Sequence, residues 1–244
     1  MVLLNYSTFF HPNVSIIQQS DGLLAVYKPH GVLSHPNKDG VCNNSLMVAP
    51  YDFQAEAYRC NGNSIYLLNR LDSPTSGLVL LCLELKLAQK IRTLFRDRKV
   101  YKAYYALVKG SVPKQMWWED QLVVVKTSKT QQHLRARCVP HKGITAKTQV
   151  TWLETLRFEQ EVISLVRLRP VTGRTHQLRI QCATHGFPIL GDKTYGQFNW
   201  NRRLQAQRLY LHAAEIKIDE LHFEAYCEPD FAPFQLSGFR CSHR

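Results

Sequence analysis

The sequence predicts an α+β sheet protein, and three observations predict it. Apolar runs of strand length recur along the whole chain, and only two segments carry a convincing helical period. The regular strand–helix alternation of a doubly wound α/β sheet is missing. Leu23 to Tyr27, Ile65 to Leu68 and Leu78 to Leu83 are continuous apolar stretches and read as buried strands. Leu85 to Arg98 places Leu87, Ala88, Ile91, Leu94 and Phe95 on one helical face, with Lys and Arg opposite. Strand character returns at Val100 to Val108, Leu122 to Lys126, Thr148 to Leu156 and Val162 to Arg169. The second helix is expected over His176 to His185, stopped by Gly186 and Pro188. Leu209 to Ile218 and His222 to Tyr226 read as late strands.

The chain has 244 residues, a length that suits one large domain or two small ones. No internal repeat, low-complexity tract or Pro/Ser-rich linker divides it. The excess of 31 Lys and Arg over 19 Asp and Glu gives a net charge of +12, which suits a polyanionic partner whose counterions such side chains release. No apolar run is long enough to span a membrane, and the first residues lack the basic and apolar regions of a signal peptide. The seven cysteines are scattered without a C-x-x-C pair, so neither a zinc site nor a disulfide framework is expected. Reduced, mostly buried thiols in a cytoplasmic protein are the expectation. Neither G-x-G-x-x-G nor G-x-x-x-x-G-K-[ST] occurs, which argues against dinucleotide and NTPase chemistry.

Three stretches concentrate reactive side chains. In the first, Leu67 to Leu78, a buried strand enters a polar turn carrying Asp72, and a second strand follows. A carboxylate at the end of a rigid strand is a common catalytic placement, although Asp before Ser-Pro also organises turns through its own backbone. In the second, Val100 to Val108, period-2 alternation sends Lys102, Tyr104 and Ala106 to one face and Tyr101, Ala103, Tyr105 and Leu107 to the other. Tyr104 there is either a half-buried strand tyrosine or a group that stacks on a base or moves a proton. The third, Arg167 to Arg179, ends a strand, turns at Gly173 and opens a helix with Arg174, His176 and Gln177. Such density of cationic and amide groups binds anions or fixes a carboxylate, or else marks a basic, solvated helix entrance.

Taken together these stretches resemble the RluA-type family of RNA pseudouridine synthases. Asn69-Arg70-Leu71-Asp72 followed by Thr75-Ser76-Gly77 matches its His-Arg-Leu-Asp hallmark, Lys102 to Val108 its Lys-x-Tyr-x-Ala-Leu-Val stretch, and Gly173 to Arg179 its Gly-Arg-x-His-Gln-[IL]-Arg element. Tyr27-Lys28-Pro29-x-Gly31 with His35-Pro36 resembles the opening motif, Pro188 to Gly196 the Pro-Ile-x-Gly-Asp-x-x-Tyr-Gly tail, and Leu211 to Ala214 the late Leu-His-Ala element. The ordered match covers roughly residues 15 to 225. One position departs: Asn69 stands where the family usually has His, and an amide can donate and accept hydrogen bonds but cannot titrate.

The resemblance implies a mixed, largely antiparallel sheet in two halves with a central catalytic cleft, forming a single catalytic domain over 1–244 without an RNA-binding domain of the S4 type. It implies isomerisation of uridine to pseudouridine in tRNA or rRNA without a cofactor. Asp72 would be the nucleophile at C1′ or the base at C2′, and Arg174 the cation that favours its ionised form. Tyr104 would lie against the flipped base and remove the C5 proton. Arg70 would fill the vacated stack or hold a phosphate, and Leu178 would wall the uracil pocket, although core packing predicts the same residue. Lys102, His176 and Gln177 complete the substrate-binding set. Target selection would rest on the cleft and on loops expected at Ser111 to Trp118 and at the basic tract Lys126 to Arg137. A monomer in a bacterial cytoplasm is the default. The competing class is a catalytically silent RNA-binding protein of the same fold. A hydrolase is disfavoured, because there is no G-x-S-x-G elbow and no carboxylate paired with Asp72 in sequence.

Overall fold

The computed structural model describes residues 4–126, 134–158, 160–234 and 236. Along the chain come β1 (Ser15–Ser20), β2 (Leu23–Lys28), β3 (Tyr51–Asp52), β4 (Ala57–Cys60), β5 (Asn63–Leu67) and β6 (Ser76–Cys82). Helix α1 (Leu85–Arg96) follows, then β7 (Tyr101–Lys109), β8 (Gln115–Lys126), β9 (Leu134–Val139), β10 (Ile144–Phe158) and β11 (Glu161–Pro170). Two helices, α2 (Gln177–Thr184) and α3 (Phe198–Arg203), precede β12 (Leu211–Ile218) and β13 (Phe223–Tyr226). No helix among the described residues is long and apolar enough to cross a membrane. The strand-rich order confirms the α+β class. Chain contacts divide it into two compact units, residues 1–101 with 213–227 and residues 102–212 with 228–244.

In the first unit β3, β4, β5 and β6 are successive sheet neighbours, β2 lies between β1 and β6, and β13 pairs with β12. Every pairing whose register is resolved here is antiparallel. All seven residues of β6 are buried, as its unbroken apolar run requires of a strand covered on both faces. Leu78, Leu80 and Cys82 on one face pack with Ala88, Ile91 and Leu94 of α1, the helical stripe read from the sequence. The helix stops at Arg96, two residues before the expected end, and Arg98 turns the chain at φ +61°.

The second unit is an antiparallel sheet in the order β7, β11, β10, β8, β9. Its core joins Ala106 and Val108 of β7, Val166 and Leu168 of β11, and Val150 of β10 to Leu178 and Cys182 of α2. Two expectations need correction. Ser111 to Trp118 is not a loop throughout, because β8 begins at Gln115 and runs for 12 residues; Trp118 is buried there and stacks on His185. Cross-strand pairing with β10 fixes this stretch as a strand from Gln115 onward. There is also a third helix, α3, too short to show a period and anchored by Trp200 as its one buried side chain. The basic tract Lys126 to Arg137 lies largely on residues 127–133, outside those described.

The six described cysteines are free thiols. Burial pushes the Cys60 thiol up to about 11 and raises Cys82 and Cys182 as well, so these stay protonated and unreactive near neutrality.

Candidate active site

Asp72 sits on the turn between β5 and β6, and that turn is braced from both sides within the first unit. Lys28 ends β2 fully buried, and its ammonium donates to the carbonyls of Val32 (2.7 Å), Pro29 (3.0 Å) and Ser73 (3.2 Å). The Gly31 N–H donates to the Ser73 carbonyl at 2.7 Å, and the Ser73 hydroxyl returns a bond to the Gly31 carbonyl at 3.0 Å. On the other flank Ser34 accepts the Leu71 N–H and donates to the Leu71 carbonyl, each at 2.9 Å. Tyr58 donates in turn to the Ser34 carbonyl at 2.8 Å. The Thr75 N–H closes the turn on the Asp72 carbonyl at 2.9 Å. Residues 71 and 73 are thus both fixed through their backbones, which sets the direction in which the Asp72 side chain leaves the sheet. The Asp72 side chain is partly exposed.

Asn69 stitches this turn to β6. Its carbonyl oxygen accepts the Leu80 N–H at 2.7 Å, and its amide nitrogen donates to the Leu78 carbonyl at 3.3 Å. The amide therefore acts as an extra peptide unit in the ladder, and neither bond requires a proton equilibrium. Replacing it by Ala strands a donor and an acceptor at a largely buried strand, at a cost of about 1–3 kcal/mol. Asn69→Ala is expected to lower the urea midpoint accordingly, whereas Asn69→His keeps one or both bonds and most of the stability.

The turn enters β6 through Gly77, at φ +120°. A Cβ there would lie 2.2 Å from the Ala213 carbonyl oxygen of β12, so both the torsion and the close approach demand glycine.

Arg70 projects from the same turn toward His35. The His35 ring is half-buried: it stacks on Tyr51 (centroids 5.0 Å apart, 13° between planes) and meets Phe53 edge-on. Its Nδ1 is 2.7 Å from the Pro36 carbonyl, which can only accept, so Nδ1 carries the proton. Nε2 is then the acceptor for the Arg70 guanidinium at 3.4 Å. Burial holds the His35 pKa below 6.5, and the Arg70 charge adds to this; the Pro36 bond and the Glu56 carboxylate pull the other way. A base depressed by folding makes the unfolded state bind more protons, so stability falls as pH drops below about 6.5 and stops falling under the folded pKa. Urea denaturation of the wild type is expected to show that slope, and His35→Gln, which keeps an acceptor but cannot titrate, is expected to lose its share of it.

The remaining sequence-derived residues lie in the second unit. Lys102 and Tyr104 share one face of β7, and Tyr104, opposite Leu168, packs on the core of that unit. The Lys102 ammonium is buried enough to lower its pKa, and a Cβ on Gly173 would lie 3.7 Å from it, so the exposed turn after β11 passes directly over this cation. Arg174 follows in that turn, with Nε on the Thr145 carbonyl at 3.2 Å. Gln177 is spent internally: Oε1 accepts from Thr172 (2.7 Å) and the Arg174 N–H (3.0 Å), while Nε2 donates to the Lys147 carbonyl and to Thr148. It shapes the turn that presents Arg174. Leu178 is a core residue at 7% exposure.

His176 is the N-cap of α2, in the left-handed region at φ +54°, so the helix starts one residue later than expected. Its Nδ1 lies 2.8 Å from the Tyr195 hydroxyl, which also accepts the Ala136 N–H of β9 at 2.7 Å. Tyr195 is held by Asp192, whose carboxylate grips buried Arg179 through two bonds of 2.8 Å and accepts the N–H groups of Thr194 and Tyr195. Burial alone would raise the Asp192 pKa, but Arg179 and those N–H groups hold it below the usual range. Sequence reasoning assigned no role to Lys28, Ser34, His35, Asp192 or Tyr195. All five lay inside quoted motifs or beside them, yet which groups they bond only the fold reveals.

The model of the RNA pseudouridylate synthase family matches residues 22–184, which contain every residue described around Asp72, Tyr104 and Arg174 except those of β12 and the 192–195 turn. The tRNA pseudouridine synthase C of Yersinia pestis is 31% identical over 216 residues, covering 84% of this chain and 81% of the relative. The dual-specificity RNA pseudouridine synthase RluA of Haemophilus influenzae is 31% identical over 221 residues, covering 89% and 92%. Among solved structures, human RNA pseudouridylate synthase domain containing 1 superposes with a TM-score of 0.69 at 29% identity, covering 89% of this chain and 84% of that one. On a family match spanning most of its length and relatives above 30% identity, this chain belongs to the RNA pseudouridine synthases, enzymes that isomerise uridine within RNA.

Proposed function

We propose that this enzyme acts on specific uridines of tRNA or rRNA, with Asp72 as the catalytic carboxylate. The observation that carries the assignment is the bracing of the Asp72 turn. Its neighbours are fixed by Lys28, Ser34 and Gly31, while the Asp72 side chain remains accessible. Preorganised direction and a partly open carboxylate are what a group attacking C1′, or taking a proton from C2′, requires.

The reaction breaks the N1–C1′ bond, turns the uracil and joins C5 to C1′; C5 then loses its proton and N1 gains one. Electrons balance within the nucleotide, so no redox partner is called for. The target base leaves its stack first, at a cost of a few kcal/mol. Arg70, held toward the front of the turn by neutral His35, is suited to occupy the vacated position or a phosphate. Tyr104 is suited to lie against the base and take the C5 proton, and Arg174 keeps the anion-favouring role that the family resemblance implies. The relatives include a tRNA pseudouridine synthase and a dual-specificity RNA pseudouridine synthase, and a tRNA stem-loop is the first substrate to try. A monomer working in the cytoplasm completes the proposal.

The test is tritium release from C5-labelled, unmodified tRNA and rRNA, with free uracil assayed alongside. Release without free uracil supports isomerisation; free uracil would establish a hydrolase, and RNA binding without release a silent binder. Tyr104→Phe is expected to bind RNA within about threefold of wild type yet lose roughly 10²–10⁴-fold in tritium release, the usual contribution of a positioned proton-transfer group. Full turnover by that variant removes Tyr104 from the chemistry.

A further inference from the structure

A concave site lies in the second unit, lined by none of the residues assigned above to the reaction. It is a pocket of about 580 Å³ formed by the 191–196 turn, α3 and the 205–207 turn. That volume falls within the range that holds small organic ligands.

The floor is fixed. Asn201 accepts the Gly191 N–H at 2.9 Å and donates to the Asp192 carbonyl at 3.1 Å, and the Gly196 N–H reaches the same carbonyl at 3.1 Å. Gly191 is at φ +76° with the Arg208 carbonyl occupying the place of a Cβ, so the backbone there has no room to relax. One wall is Phe198, 76% exposed, the most exposed large apolar side chain among the described residues. At the mouth of a formed pocket this phenyl ring offers an open face on which a planar group can stack.

The rim is cationic. Lys193 and Arg202 line the pocket, both exposed, and no carboxylate among the described residues pairs with either. The one carboxylate in the lining, Asp192, is 2% exposed and its oxygens are taken by Arg179 and two backbone N–H groups. Gln205 and Gln207 add exposed amides, able to donate and accept at the edge of a heterocycle. An aromatic wall, amide edges and a cationic rim without an offsetting anion define a site for a nucleotide: a base on Phe198 and a phosphate on Lys193 and Arg202.

We propose that this pocket receives one nucleotide of the substrate RNA other than the reactive uridine, and so contributes to target selection. The inference rests on the RNA-modifying function and extends it to a second contact. Base stacking on an aromatic side chain strengthens binding irrespective of sequence, and each phosphate contact adds to the salt dependence.

The experiment measures RNA affinity by filter binding across a salt series, together with tritium release at saturating RNA. Wild type, Phe198→Ala and a Lys193→Ala/Arg202→Ala variant are compared, with melting temperatures confirming that these surface changes leave the fold intact. Phe198→Ala is expected to weaken RNA binding about tenfold with the rate at saturation unchanged. The double variant is expected to lower the slope of log affinity against log salt by roughly one to two. RNA affinity and salt slope equal to wild type in both variants would overturn the proposal. Protection of wild type but not Phe198→Ala by AMP or UMP alone, with RNA affinity unchanged, would overturn the RNA assignment in favour of a free nucleotide. A wild type that neither binds RNA nor releases tritium would instead strike the function itself, so the two failures are separable.

Discussion

Asp72→Ala is expected to release no measurable tritium from C5-labelled RNA, a loss of roughly 10⁴-fold or more, while binding RNA within a few-fold of wild type. Removing a group that forms or breaks bonds with the substrate leaves only the catalysis of binding and electrostatics, which is the pattern seen when nucleophiles are deleted from other enzymes. The structure makes the experiment clean. Neighbouring Leu71 and Ser73 are held through backbone groups by Ser34, Lys28 and Gly31, none of which uses the Asp72 side chain. The turn should therefore keep its shape in the variant, and circular dichroism and the melting temperature should stay close to wild type. Asp72→Asn, which preserves size and removes only the charge, should be as inactive as Asp72→Ala. An Asp72→Asn protein with a tenth or more of wild-type activity would show that the ionised carboxylate is not the catalytic group.

The largest expected effect on stability belongs to the Arg179–Asp192 pair. Both partners are almost wholly buried, at 5% and 1% side-chain exposure, and they meet through two bonds of 2.8 Å. Removing one partner of such a pair leaves a desolvated charge without compensation, which costs about 3–5 kcal/mol. Asp192→Ala also frees the N–H groups of Thr194 and Tyr195, so it should lie at the upper end of that range. Arg179→Met leaves those caps in place and fills similar volume, yet strands the carboxylate. Urea denaturation at neutral pH should show both losses. Both losses should shrink as pH falls, and more steeply for Arg179→Met, whose orphaned carboxylate takes up a proton. In the wild type the sign is opposite: the depressed Asp192 pKa gives stability that is present above the unfolded carboxylate value and lost as pH falls through the folded one. Because Asp192 holds Tyr195, and Tyr195 bonds both His176 and β9, the variants should also disturb RNA binding through residues that keep their own side chains.

The readable part of the fold was the part where burial writes a pattern. Helix α1 was legible because Ala88, Ile91 and Leu94 must all face one core, and β6 because both of its faces are covered. The first half of β8 was not, since Trp117 is half exposed and Glu119 to Gln121 interrupt the apolar pattern; the pairing with β10 identifies it. Helix α3 has one buried residue and so no period to read. The site shows the same division. Asp72, Tyr104 and Arg174 were singled out because six motifs occur in order, not because any spacing marked them. What the motifs left unexplained is why Lys28, Ser34 and Asn69 stand where they do. Their partners are carbonyls and N–H groups, which carry no signature in sequence because every residue has them.

The discontinuity of the first unit bears on how the protein is made. Residues 1–101 need 213–227 to complete their sheet, and Gly77 is fitted against Ala213 with no space for a Cβ. A ribosome adding about 5–20 residues per second exposes the first unit for roughly 5–25 s before β12 is available to it. Over that interval the intervening residues of the second unit emerge and can fold first, while β6 waits with an apolar edge uncovered. Synthesis therefore leaves the part begun first incomplete until most of the second unit has emerged. Slowing translation ahead of residue 213 would lengthen the window in which chaperones must hold the early segment.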